Sequence, residues 1–175
     1  GVDNGLGFDG VVVKNGTIRL FDQASSIGGG AQKNTVTGVT IRACTGAGID
    51  LNDSDFGKVT KTNVLDCGLG VQIGVDGTGN VIEKSSVVAV DQAGVQVAGA
   101  NNVVQKNQIS GANDGVRVLG AGNRVIGNGV DRCRAMGVAV GGGLGNFVAK
   151  NTVTGSTGSG VDVRNGVGTI VKQNT

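Results

Sequence analysis

Apolar and polar residues alternate along this chain in short bursts that return at a nearly constant interval. The clearest unit, Gly-apolar-x-apolar, appears as Gly48-Ile49-Asp50-Leu51, Gly70-Val71-Gln72-Ile73, Gly94-Val95-Gln96-Val97, Gly115-Val116-Arg117-Val118, Gly137-Val138-Ala139-Val140 and Gly160-Val161-Asp162-Val163, with starts 21 to 24 residues apart. Weaker copies at Gly5-Leu6-Gly7-Phe8 and Ser26-Ile27 carry the period upstream. A second signal runs in phase with it. Asn34, Asn80, Asn102, Asn123 and Asn146 each precede a short apolar segment, and an apolar residue follows seven positions later. Each repeat therefore reads as three short strands separated by Gly, Asn, Ser and Thr bends, with no stretch long enough for a helix.

Strands this short bury a face only when coil stacks on coil, at about 4.8 Å per layer. Stacking in parallel register turns equivalent positions into neighbours, so inward columns fill with Val, Ile and Leu, which suit a pleated surface. Bends call for residues that tolerate positive φ, which Gly and Asn supply. The hexapeptide spacing of an 18-residue left-handed coil is missing. A period near 22, with right-handed crossovers preferred between parallel strands, predicts an all-β, right-handed, single-stranded parallel β-helix of about seven to eight coils, one domain over residues 1–175.

Composition narrows the chemistry. The chain has 35 Gly in 175 residues, no His, Pro, Trp or Tyr, and a net charge of +2. Without His there is no Ser-His-Asp or Cys-His nucleophile and no imidazole ligand. Gly does not recur every third residue, which excludes collagen, and the low charge opposes disorder. Trp and Tyr platforms for sugars or bases are absent, so stacking-based recognition and a nucleic-acid partner are disfavoured. No apolar run reaches membrane-spanning length, so no membrane partner is expected, and Gly1 to Gly10 lacks signal-peptide order. The expectation is that a leader has been removed or that the chain is part of something longer.

The segment Val11-Val12-Val13-Lys14-Asn15-Gly16-Thr17-Ile18-Arg19-Leu20-Phe21, with later copies Lys106-Asn107-Gln108-Ile109 and Lys150-Asn151-Thr152-Val153, resembles the right-handed parallel β-helix repeat proteins. These form the pectate-lyase-like superfamily, and the likeness is to its NosD-like, carbohydrate-associated members. It covers essentially the whole chain, in motifs that belong to the fold rather than to an activity. The resemblance implies a secreted or cell-surface bacterial protein that acts on or binds polysaccharide. Neither end shows a capping helix, so the expectation is a segment of a larger protein, with end-to-end fibre assembly as the alternative.

Aligning the repeats places five of the eight lysines, Lys61, Lys84, Lys106, Lys150 and Lys172, in one column, interrupted by Gly38 and Gly127 and flanked by Glu83 alone among the acids. One reading is a track for an anionic polysaccharide such as a polyuronate. The plain alternative is a soluble bend residue reused by duplication, which also discourages edge pairing. The outward strand position carries Asp50, Gln72, Gln96, Arg117, Ala139 and Asp162. In the resembled lyases such a surface holds Ca²⁺ and a basic residue that removes a proton. That resemblance implies Arg117 as the basic residue, with Asp91 and Asp114 as ion ligands, although no acid matches a family motif. Coils of such even length leave no long loops to wall a cleft, which argues against catalysis. Asp50, Asn52, Asp53 and Asp55 have the alternate oxygen spacing of a Ca²⁺ loop but lack its Gly and terminal Glu, so a structural turn is expected ahead of weak Ca²⁺ binding. Cys44, Cys67 and Cys133 share a column with Val90, Ala112 and Ser156, a small-residue core position where thiols are buried and inert.

The reading is a rigid extracellular or cell-surface scaffold that needs no cofactor and contacts anionic polysaccharide along its Lys edge. The alternatives are a fragment of a polysaccharide lyase or epimerase, and a fibre subunit stacking through uncapped ends.

Overall fold

In the computed structural model, which describes residues 1–175, Val71 pairs in parallel register with Ile49 in the coil below and Val95 in the coil above. The same relation holds throughout: every strand pairing is parallel, and nineteen strands join in one continuous sheet that winds through about seven turns. No helix is present. A small second sheet pairs Ala31–Gln32 with Ser54–Asp55.

Each coil runs through three faces. The first includes Ala93–Val97, Asp114–Val118 and Val138–Val140, the second Val103–Gln105, Arg124–Ile126 and Phe147–Ala149, and the third Gln108–Ser110, Gly129–Asp131 and Thr152–Thr154. Inward positions stack into aliphatic columns: Val71, Val95, Val116 and Val138 on the first face, Ile82, Val104 and Val125 on the second, and Val64, Val87, Ile109 and Val130 on the third. All are buried in one continuous core. Two strands are longer than the pattern predicts. Thr35–Leu51 and Asn63–Ile73 continue around the bend between the third and first faces, because Cys44 and Cys67 stay paired through it.

The bends repeat as faithfully as the strands. The corners turn on residues in the left-handed region, with one equivalent position recurring from coil to coil. At the first corner it is Gly79, Asn101, Gly122 or Gly145, at the second Gly38, Lys61, Lys84, Lys106, Gly127 or Lys150, and at the third Ala43, Asp66, Ala89, Gly111 or Arg132. The residue that follows points inward. The Gly that opens the Gly-apolar-x-apolar unit is not among them. A Cβ on Gly115 would lie 2.4 Å from Val130 Cγ1 and 2.5 Å from the carbonyl oxygen of Gly137. Close approach, not backbone twist, demands glycine there.

Large apolar side chains lie exposed mostly in the first and last coils, including Leu6, Phe8 and Leu20 at one end and Val167, Ile170 and Val171 at the other.

Candidate functional site

The lysine column is set by the second corner. Strand register places Lys61 beside Lys84 and Lys84 beside Lys106, one coil apart, then Gly127 and Lys150. All four lysines are exposed and share the left-handed bend, with φ of 52°, 51°, 56° and 57° in chain order. Lys172 departs from this prediction. It pairs with Ala149 on the second face, and Gln173 takes the bend position beside Lys150. Glu83 bonds to partners outside the column, and Lys84 of the column acts on it only as a smaller charge effect. Its carboxylate meets Lys58 at 2.8 Å and accepts a hydrogen bond from Gln105 at 2.9 Å, and these two partners hold its pKa below the ordinary glutamate value.

A second locus lies on the first face. Arg117, Ala139 and Asp162 occupy the same outward position on successive coils. Small Ala139 leaves a groove of about 310 Å³ between them, bordered also by Asn113, Met136 and Arg164. Two ion pairs frame it. Arg117 donates through Nε and Nη2 to Asp114 Oδ2 at 2.9 and 2.8 Å, and Arg164 Nε lies 2.7 Å from Asp162 Oδ2. Asp114 is buried, and its other oxygen accepts the Met136 N–H. One edge of the Arg117 guanidinium is thus occupied by the Asp114 carboxylate. The two acids grouped with it in the sequence separate. Asp114 is its ion-pair partner, while Asp91 lines a different hollow beside Cys67. Sequence spacing alone did not reveal Arg164, although it sits two residues beyond Asp162 on the same face.

The proposed Ca²⁺ loop does not gather its oxygens. Asp50 is buried on the first face, where Gln23 donates to it and burial pushes its carboxyl above the usual range. Asp53 forms the turn with φ of 55°, and Asp55 accepts both the N–H and the hydroxyl of Thr78 in the next coil. Asn52 is exposed. Nowhere do three or more His, Cys, Asp or Glu side chains come together as a metal site.

The inward positions at the corners divide into two chemistries. At the first corner Asn80, Asn102, Asn123 and Asn146 form a buried ladder. Each Oδ1 accepts an N–H from the preceding coil, as Asn102 does from Asn80 at 2.8 Å, and Nδ2 of Asn102 donates to the Gly77 carbonyl at 3.0 Å. The second corner holds another, Asn107, Asn128, Asn151 and Asn174, which the sequence reading missed. The recurrent Lys-Asn step was its visible signal. At the third corner the same place is taken by Cys44, Cys67, Val90, Ala112 and Cys133, all buried as expected for a small-residue core column. Burial first, and then the neighbouring Cys44, push the Cys67 thiol up to about 12.

The family model for the right-handed β-helix region matches residues 71–175. No curated protein matches the chain. Among solved structures, an alginate lyase from Paenibacillus sp. str. FPU-7 superposes with a TM-score of 0.78 at 14% identity, covering 95% of this chain and 68% of that one. The Agl-KA catalytic domain gives 0.64 at 18% identity, with 94% of this chain and 40% of that one covered. A point mutant of the periplasmic alginate epimerase AlgG gives 0.61 at 14% identity, with 90% and 51% covered. At such identities the likeness is one of fold. The chain spans about half or less of the latter two proteins.

Proposed function

The chain belongs to the right-handed β-helix family, and from that premise we propose that it is a rigid extracellular or cell-surface rod that contacts an anionic polysaccharide along its second corner. One observation carries this reading: Lys61, Lys84 and Lys106 hold the same exposed position on three consecutive coils. Lysine has no special tolerance for the left-handed bend, and each one costs about 1 kcal/mol relative to glycine. Gly38 and Gly127 make the same bend without that cost. A regular row of ammonium groups at roughly 4.8 Å spacing suits a polymer that bears a carboxylate on each sugar. The alginate enzymes among the structural neighbours support a carbohydrate partner for this scaffold.

The expected result is binding to polyuronate that weakens as salt rises and falls at least about tenfold in the Lys84→Ala, Lys106→Ala double variant. Salt-insensitive binding, or binding unchanged in that variant, removes the proposal.

The groove at Arg117 favours a second reading, a fragment of a lyase or epimerase in which Arg117 and Arg164 hold uronate carboxylates. Appearance of unsaturated uronate products, lost in Arg117→Gln, decides for it.

A further inference from the structure

We propose that Cys44 and Cys67 form a two-coordinate site for a soft, closed-shell divalent metal ion of the mercuric type, held between adjacent coils at the third corner. The two residues are direct partners in parallel register. Their thiols point the same way, since Cys44 Sγ donates to the Arg42 carbonyl at 3.7 Å and Cys67 Sγ to the equivalent Leu65 carbonyl at 3.4 Å. Equivalent sulfurs on successive coils repeat at about the layer spacing, roughly 4.8 Å. A disulfide needs Cβ atoms about 3.8 Å apart and sulfurs about 2.05 Å apart, so it would pinch the coils together. Two metal–thiolate bonds of about 2.3 Å in line span about 4.6 Å, which fits the coils as they stand.

The ligand set selects the ion. Thiolates favour soft metals, and the absence of any convergent third Cys, His, Asp or Glu leaves four-coordinate zinc and oxygen-rich calcium without ligands. A divalent ion between two thiolates is also neutral, the only charge state that burial does not penalise. Uptake breaks two S–H bonds, forms two S–metal bonds and releases two protons to solvent. An open hollow of about 480 Å³ lies against both cysteines at this corner, lined also by small Ala43 and Ala89 and by Asp66 and Asp91, whose carboxylates attract a cation. Cys133 supplies an internal contrast, because Ala112 and Ser156 occupy its neighbouring coils.

The test uses the reduced Cys133→Ala protein, titrated with mercuric chloride against excess monothiol. Ala112 and Val90 fill the same column, so Cys→Ala changes at this corner keep the fold; far-ultraviolet circular dichroism verifies it, and Cys67→Ala serves as the second variant. The expected result is one ion retained per chain, and, in a parallel titration without the monothiol, two protons released per ion taken up. Retention should fall about 100-fold when either Cys44 or Cys67 is also replaced by Ala. Two ions per chain, one proton per ion, or equal retention by a single-thiol variant overturns the site. Polysaccharide binding is read separately and plays no part in these outcomes.

Discussion

The second and third corners of each coil turn the chain with the same left-handed residue, yet close it differently. At the second, buried amides of Asn107, Asn128 and Asn151 satisfy backbone groups of the neighbouring coil. Backbone bonds join the coils at both corners: Gly129 N–H reaches the Asn107 carbonyl at 2.9 Å at the second, and Asp91 N–H the Cys67 carbonyl at 3.1 Å and Arg134 N–H the Ala112 carbonyl at 2.9 Å at the third, where no amide ladder is added. Arg134 adds a strap two coils long, donating from Nη2 to the carbonyls of Val90 and Asp91. With backbone pairing common to both, the corners differ in what the inward side chain adds: at the second, amides bond the neighbouring coil, with Val39, Thr62 and Ser85 in their place in earlier coils, and at the third, thiols and small apolar groups make no such ladder.

Substitution at the amide corner should produce the largest loss. Asn128→Ala strands the Asn107 N–H and the Val104 carbonyl in the interior, and should cost about 4 kcal/mol in urea unfolding. Next comes the glycine entering the first face. Gly115→Ala drives a methyl into Val130 and the Gly137 carbonyl and should cost about 3 kcal/mol, whereas Gly145→Ala, with open space around it but a left-handed φ, should cost about 1 kcal/mol. Equal costs at the two glycines would contradict the close-approach account.

The third corner should show a pH dependence that the amide corners lack. Folded Cys67 keeps its proton until about 12, while an unfolded thiol loses it near 9.0. Between those values the unfolded chain binds fewer protons, so stability should decline as pH rises above 9.0, by up to about 1.4 kcal/mol per unit. Cys67→Ala should flatten that decline in thermal melts. The smallest effect belongs to Cys133→Ala at neutral pH, about 1 kcal/mol or less by the same unfolding assay. A loss matching that of Asn128→Ala would erase the distinction between the corners.

Much of this was legible before any coordinates. The repeat, the aliphatic columns, the first Asn ladder and the Lys61-Lys84-Lys106 row follow from spacing, because stacking converts sequence interval into spatial contact. Three features did not. The second ladder was masked where its column reads Val39, Thr62 and Ser85 in earlier coils. Lys172 lies at a plausible interval from Lys150, but Asn174 must stack on Asn151, and that hydrogen bond shifts the last coil by one residue. The groove at Arg117 depends on an absent side chain, that of Ala139, and on an ion pair formed along one strand, neither of which periodicity encodes.

The backward reach of the buried amides gives the rod a direction. An amide at either ladder serves the layer made before its own, so each turn is finished only by its successor. At the carboxyl end of any stack of coils, one rung of ladder N–H groups is therefore left for the next coil's amides to accept from.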